Sequence, residues 1–228
     1  MRYDAYRDRR DAGRVLARRL DSWRDRPDVI VLGLPRGGVP VADEVARALD
    51  APLDVFLVRK LGVPGHEELA MGAIASGGVR VVNDEVLAES RLGAGVIDEV
   101  AAREQGELDR RERAYRDDLP PPDVAGKIVI LVDDGLATGS TMRAAIEALR
   151  RKQPKMIVVA VPVGAPGVCR AIGHLADESV CALTPEAFYA VGQWYDDFSE
   201  VTDADVRAIL ASSRSSGAVD EAGRAANG

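Results

Sequence analysis

Cysteine, histidine and lysine are scarce in this chain, and each scarcity narrows what it can be. The 228 residues hold two cysteines, Cys169 and Cys181, in no metal or redox motif, so both read as reduced core residues. The two histidines, His66 and His174, have no plausible partner close by in sequence. His174 is expected to end a helix, and His66 to sit in a loop, open to ligand or solvent alike. No apolar run approaches the roughly 20 residues that span a bilayer, and the charged N-terminal stretch lacks a signal-peptide core, so a cytoplasmic protein without membrane attachment is expected. The net charge of −7 gives no general attraction to nucleic acid. Several motifs are missing too. There is no G-x-x-x-x-G-K-[ST] for a triphosphate, no G-x-G-x-x-G after a strand for a dinucleotide, and no G-x-S-x-G elbow.

What is present is an ordinary globular composition, 46% hydrophobic and 29% charged. Helical and strand patterns alternate along it. Helices are expected at Asp8 to Trp23, Val41 to Leu49, Gly95 to Arg116, Ser140 to Arg151, Pro166 to His174 and Asp203 to Leu210. Strands are expected at Val29 to Leu34, Leu53 to Val58, Val79 to Val82, Lys127 to Val132, Met156 to Val161 and Ser179 to Leu183. This alternation predicts an α/β fold, a mostly parallel sheet flanked by helices. Ser212 to Gly228 is small, polar and aperiodic, which predicts a disordered tail after a domain at 1–211.

The most informative stretch is Val129-Ile-Leu-Val-Asp-Asp-Gly-Leu-Ala-Thr-Gly-Ser-Thr141. An apolar strand runs straight into Asp133 and Asp134, at the carboxyl edge where open α/β sheets bind ligands. A loop with Gly135 and Gly139 follows, and then the start of a helix, whose amides suit an anion. Two carboxylates for a diol and a nest of N–H groups for a phosphate together fit a sugar phosphate.

Position by position, these thirteen residues resemble the phosphoribosyl-diphosphate signature of type I phosphoribosyltransferases. The resemblance implies that family's fold, with a core at about 27–183, a small hood from the N-terminal segment and 184–211, and a flexible lid loop. It implies that Asp133 and Asp134 hold the ribose hydroxyls and that Ala137, Thr138, Gly139, Ser140 and Thr141 hold the 5-phosphate. Mg²⁺ is the implied cofactor, held mostly through ligand oxygens and water, with Asp133 and Asp134 its candidate protein contacts. A homodimer is implied as well, although no stripe in the sequence marks an interface.

Three further segments support the likeness. Leu34-Pro-Arg-Gly-Gly-Val-Pro40 has two glycines and a cation at a strand end, and resembles the family's diphosphate loop through Arg36, Gly37 and Gly38. Arg59 and Lys60 precede Gly62, Pro64 and Gly65. Lys60 is one of four lysines in a chain that otherwise prefers arginine. This segment resembles the basic lid, with Lys60 a catalytic candidate, Arg59 and Lys60 candidates for the diphosphate, and Glu67 and Glu68 candidates near the base. Five of the ten aromatics fall between Phe188 and Phe198, making Trp194 and Tyr195 candidate base-binding residues, with a small aromatic core that packs the C-terminal segment onto the sheet as the alternative for each ring. The whole likeness runs roughly from Tyr3 to Leu210, and is closest to a subgroup of undefined acceptor.

One departure bears on specificity. Members acting on 6-oxopurines carry a carboxylate where this chain has Ala137, and alanine moves no proton. The implied activity is transfer of ribose 5-phosphate to a nitrogenous base with release of diphosphate. The competing expectation is a non-catalytic sensor of the same ligand or of a nucleotide.

Overall fold

The structure, a computed structural model, describes residues 5–83, 86–88, 95–117 and 119–225, and for 67, 68 and 216–225 the backbone alone. In chain order its helices and strands are α1 (Arg9–Arg19), β1 (Val29–Gly33), α2 (Gly38–Leu49), β2 (Leu53–Val55), β3 (Val58–Val63), β4 (His66–Ala75), β5 (Val79–Val82), α3 (Val96–Arg116), β6 (Ile128–Val132), α4 (Ser140–Arg151), β7 (Met156–Val163), α5 (Pro166–Gly173), β8 (Glu178–Leu183) and α6 (Asp203–Ala225).

Five strands form one parallel sheet in the order β2-β1-β6-β7-β8. At its centre Val29 pairs with Ile128 and the register holds through Gly33 opposite Val132. Every position of β1 and β6 is buried, which is why both read as continuous apolar runs rather than alternations. Successive side chains enter opposite cores. Val29, Val31, Ile128 and Ile130 share a core with Leu16 of α1 and its C-cap Leu20, Val45 and Leu49 of α2, and Val206 and Leu210 of α6. Ile30, Leu32, Val129 and Leu131 pack against Met142, Ile146 and Leu149 of α4 and Ile172 of α5. Each fully buried Leu or Ile is worth about 1.5–3 kcal/mol. Two such layers let the sheet's carboxyl edge carry groups that are unfavourable on their own. Chain order reverses between β1 and β6, so the loops after these two strands flank the sheet's switch point.

The cap of α1 is local chemistry. The Asp8 carboxylate accepts the Asp11 amide at 2.7 Å, and Arg18 and Arg19 sit in the last turn against the helix dipole. The helix stops at Arg19, short of the expected Trp23, which a 3-10 turn carries into the core.

Four expectations need correction. The strand expected at Leu53 to Val58 splits, with β2 joining the main sheet and β3 starting a second one. The lid expected as a mobile polar loop is a ribbon: β3, β4 and β5 form an antiparallel sheet with a turn at Pro64 and Gly65. Leu61, Val63, Met71 and Ile74 are buried there, and that burial outweighs the loop-like glycines and proline. Cys169 of α5 and Cys181 of β8 are joined as a disulfide, because α5 folds back onto the edge strand. The last helix runs on to Ala225 through the segment expected to be disordered, since extending a nucleated helix costs little per residue. His174 does end a helix, as the C-cap of α5.

Candidate active site

The site is built where β1 and β6 end. Gly38 opens α2 directly over the last turn of β6. A Cβ at Gly38 would lie 2.7 Å from the Val132 carbonyl and 2.8 Å from the Asp133 Cα, both backbone atoms that side-chain rotation cannot move aside. A Cβ at Gly37 would collide with the Asp134 carboxylate. The peptide between Pro35 and Arg36 is cis. These two glycines therefore stand where the turn needs close approach, and Gly38→Ala is expected to cost about 1–3 kcal/mol of stability, read as a lower denaturation midpoint. An unchanged midpoint would mean that the turn and β6 can part freely.

Asp133 and Asp134 follow β6. The Asp133 carboxylate accepts the Asp134 amide at 2.9 Å. Burial, then the neighbouring charge of Asp134, pushes the Asp133 carboxyl well above the usual carboxylate range. Burial also raises Asp134, against the pull of Arg9. Arg9 is supplied by α1: its Nε donates to Asp134 Oδ2 at 2.8 Å. The two carboxylates are thus held with one cation beside them, poised for hydroxyl groups or a cation to relieve their repulsion.

The following loop displays Ala137, Thr138 and Thr141 at the surface, with Ser140 half-buried. Gly139 has φ +71°, a backbone conformation glycine adopts without strain, and α4 starts at Ser140 without a side-chain cap. Gly139 offers no capping side chain and the Ser140 amide donates to Thr138 Oγ1 at 3.4 Å, so the helix opens on amides and hydroxyls together, an arrangement that favours an anion. The hydroxyls of Thr138 and Ser140 are 3.2 Å apart.

The structure brings Lys60 to this loop and turns Arg59 away. Lys60 Nζ is 3.5 Å from Ser140 Oγ. Neighbours on a strand point to opposite faces, and the Arg59 guanidinium meets Glu104 of α3, with Nε at 2.9 Å. Arg36 is ion-paired with Glu200 at 2.5 Å. Glu67 and Glu68 lie on β4, but their side chains fall outside the described residues.

Of the two uses open to Tyr195, a face for a base or a place in an aromatic core, its surroundings favour the core. Tyr195 is buried between Tyr6 and Phe198, at ring separations of 5.6 and 5.0 Å, and its hydroxyl donates to the Asp134 carbonyl at 2.6 Å. Burial pushes that hydroxyl's pKa up. Tyr6, whose hydroxyl is raised to about 12 by burial, donates to the Pro162 carbonyl at 2.9 Å. Trp194 packs, half-buried, on the same cluster of Tyr6, Ala12, Val163 and Tyr195. Aromatic clustering here mainly packs the N- and C-terminal segments against each other. Tyr189 stands in solvent, 88% exposed.

Residues 3–181 match the model of the phosphoribosyl transferase domain. The chain belongs to that family. It is 48% identical over 203 residues to the "Putative phosphoribosyl transferase Rv0571c" of Mycobacterium tuberculosis, covering 89% of this chain and 46% of that protein. It is 31% identical over 135 residues to the "Bifunctional protein PyrR" of Clostridium acetobutylicum, covering 59% of this chain and 56% of the relative. The chain thus spans about half the length of these curated relatives. Among solved structures, the protein TT1426 from Thermus thermophilus is 45% identical with a TM-score of 0.82, covering 90% of this chain and 97% of that one. The parallel sheet flanked by helices is the fold of this phosphoribosyl transferase domain.

Within the domain, sequence reasoning missed Arg9. It is one of four arginines between Arg7 and Arg14, and spacing alone does not separate it from the others. Only the fold shows that it reaches the acidic pair, across 125 positions of sequence. The Lys60–Ser140 approach was equally hidden, since strand alternation could not be assigned within a segment read as a loop.

Proposed function

We propose that the domain transfers ribose 5-phosphate from 5-phosphoribosyl 1-diphosphate to a ring nitrogen of a base and releases diphosphate. One observation carries this reading. The Asp133–Asp134 pair, the loop at Thr138 to Thr141, the Pro35–Gly38 turn and Lys60 converge on one place at the sheet's switch point.

In the reaction the C1–O bond to diphosphate breaks and a C1–N bond forms. Positive charge grows on the ribose ring as the leaving group departs. Asp133 and Asp134 accept the ribose hydroxyls and favour that charge electrostatically. The hydroxyls of Thr138, Ser140 and Thr141, with the first amides of α4, anchor the 5-phosphate away from the reacting carbon and supply positioning energy. Lys60 lies on the lid side of this loop, suited to the negative charge that builds on the departing diphosphate. Arg36 serves the same charge by exchanging Glu200 for it. The β3–β4 ribbon brings Lys60 to this loop, and its approach over bound substrate would keep water from C1.

A divalent ion fits the donor set in a limited way. Asp133 offers hard oxygen, but among the described residues no group of three or more His, Cys, Asp or Glu side chains could hold a metal. Mg²⁺ would rest on Asp133 or Asp134 and otherwise on ligand oxygens and water, and would neutralise diphosphate charge. Among the described residues no helix is long and apolar enough to cross a membrane. The substrates of the reaction are small molecules.

The acceptor follows from Ala137. Without a carboxylate there, hypoxanthine and guanine should be poor acceptors, while adenine or a non-purine nitrogen heterocycle should be better. A panel of bases with phosphoribosyl diphosphate and Mg²⁺, read as nucleotide formation, tests this. Fastest turnover with hypoxanthine or guanine would sink the argument from Ala137. Tight binding of phosphoribosyl diphosphate with no turnover on any base would turn the reading to a sensor.

A further inference from the structure

Arg9 makes three contacts that no structural need of α1 explains together. Its Nε donates to Asp134 Oδ2 at 2.8 Å, and its Nη1 donates to the Ser199 carbonyl at 2.7 Å. Its guanidinium lies 3.9 Å from the centre of the Phe198 ring. The side chain is 11% exposed and the Asp134 side chain 15%, so the pair is largely shielded from water. Other arginines of the same helix behave differently. Arg10 and Arg14 meet Asp11, Asp43 and Glu44, and thereby join α1 to itself and to α2. Arg9 alone among them reaches across the fold to the carboxylates.

We propose that Arg9 is a positioning residue for the ribose site, fixing Asp134 so that the acidic pair meets the ribose hydroxyls in one geometry. This rests on the reading given under the proposed function. Asp134 is held from two sides, by Arg9 at the carboxylate and by Tyr195 at the backbone carbonyl, while Gly37 leaves the carboxylate room. Asp133 has one such hold, the Asp134 amide. The pair thus divides its work. Asp134 is the anchored member and Asp133 the freer one. Two adjacent carboxylates repel each other, and a fixed guanidinium beside one of them keeps both in place without waiting for ligand. Since the same guanidinium meets the Ser199 carbonyl and the Phe198 ring, it also ties Asp134 to the C-terminal segment.

The test is a double-mutant cycle read by calorimetric titration of Mg²⁺–phosphoribosyl diphosphate, which needs no acceptor base. Arg9→Met should weaken binding by about tenfold in the parent protein and by less than about twofold in an Asp134→Asn background. Arg9→Lys keeps the charge but not the fork. It should recover part of the loss, and it remains readable if the methionine variant does not fold. Arg14→Met, on the same helix, should bind like the parent. Equal losses in both backgrounds would reduce Arg9 to a packing residue, and tighter binding by Arg9→Met would make it a plug. Either result overturns the inference while parent binding stands. A parent that fails to bind phosphoribosyl diphosphate overturns the proposed function, and this inference with it.

Discussion

Asp133→Asn should leave the protein at least as stable as the parent at pH 7 while weakening Mg²⁺–phosphoribosyl diphosphate binding by about ten- to hundredfold. The two effects have one cause. Burial and the charge of Asp134 hold the Asp133 carboxyl well above its usual value of 3.8. Between the unfolded and folded values the native state binds more protons than the unfolded chain, so stability falls as pH rises through that interval. Asparagine has no charge to bury, and its carbonyl can still accept the Asp134 amide. Its advantage should be absent below the unfolded value and complete above the raised folded one. Melting curves from acid to neutral pH, with titration of the ligand alongside, measure both halves. A variant that melts lower at every pH and binds ligand normally would make Asp133 a structural residue.

That trade of stability for binding shows what the sequence could reveal and what it could not. Strands β1, β6 and β7 were legible because parallel strands buried on both faces must be continuous apolar runs, and Val29 to Leu34 or Ile128 to Val132 have few other readings. The acidic pair and its phosphate loop were legible because they are contiguous in sequence. The lid was misread for a physical reason. Gly62, Pro64 and Gly65 are loop residues by propensity, yet Leu61 and Val63 find buried places, and tertiary packing decides. The disulfide depended on how α5 folds onto β8, which Cys spacing does not encode. Tyr195 belongs to a cluster for which the sequence allows two uses, a face for a base or a small aromatic core. Flat rings suit a base and a core equally, and only the hydrogen bond to the Asp134 carbonyl shows which use this ring serves. Arg9 illustrates the same limit from the other side, since a salt bridge across 125 positions leaves no local pattern.

Lys60 gives the other large effect, and the ribbon geometry sharpens it. On β3 the side chains of Arg59 and Lys60 diverge, so two adjacent cations should have separate consequences. Lys60 Nζ stands 3.5 Å from Ser140 Oγ, beside the proposed phosphate loop, while Arg59 is spent on Glu104. A charge aimed at a leaving diphosphate acts most strongly when that group gains charge, late in bond breaking. Losing one such preorganised contact costs about 10²–10³ in turnover in comparable sites. Lys60→Ala should therefore lower kcat by about a hundredfold with the best acceptor of the base panel, and change the affinity for phosphoribosyl diphosphate by less than about tenfold. Arg59→Ala should do the reverse of what its neighbour does: turnover should stay near that of the parent, while the ribbon loses an ion pair that ties it to α3. Steady-state kinetics and ligand titration on both variants separate the roles. If Lys60→Ala raised only KM, the lysine would be a docking contact formed equally in ground and transition states. If Arg59→Ala lost turnover as heavily as Lys60→Ala, the ribbon's attachment to α3, rather than the Lys60 charge, would be what the chemistry requires.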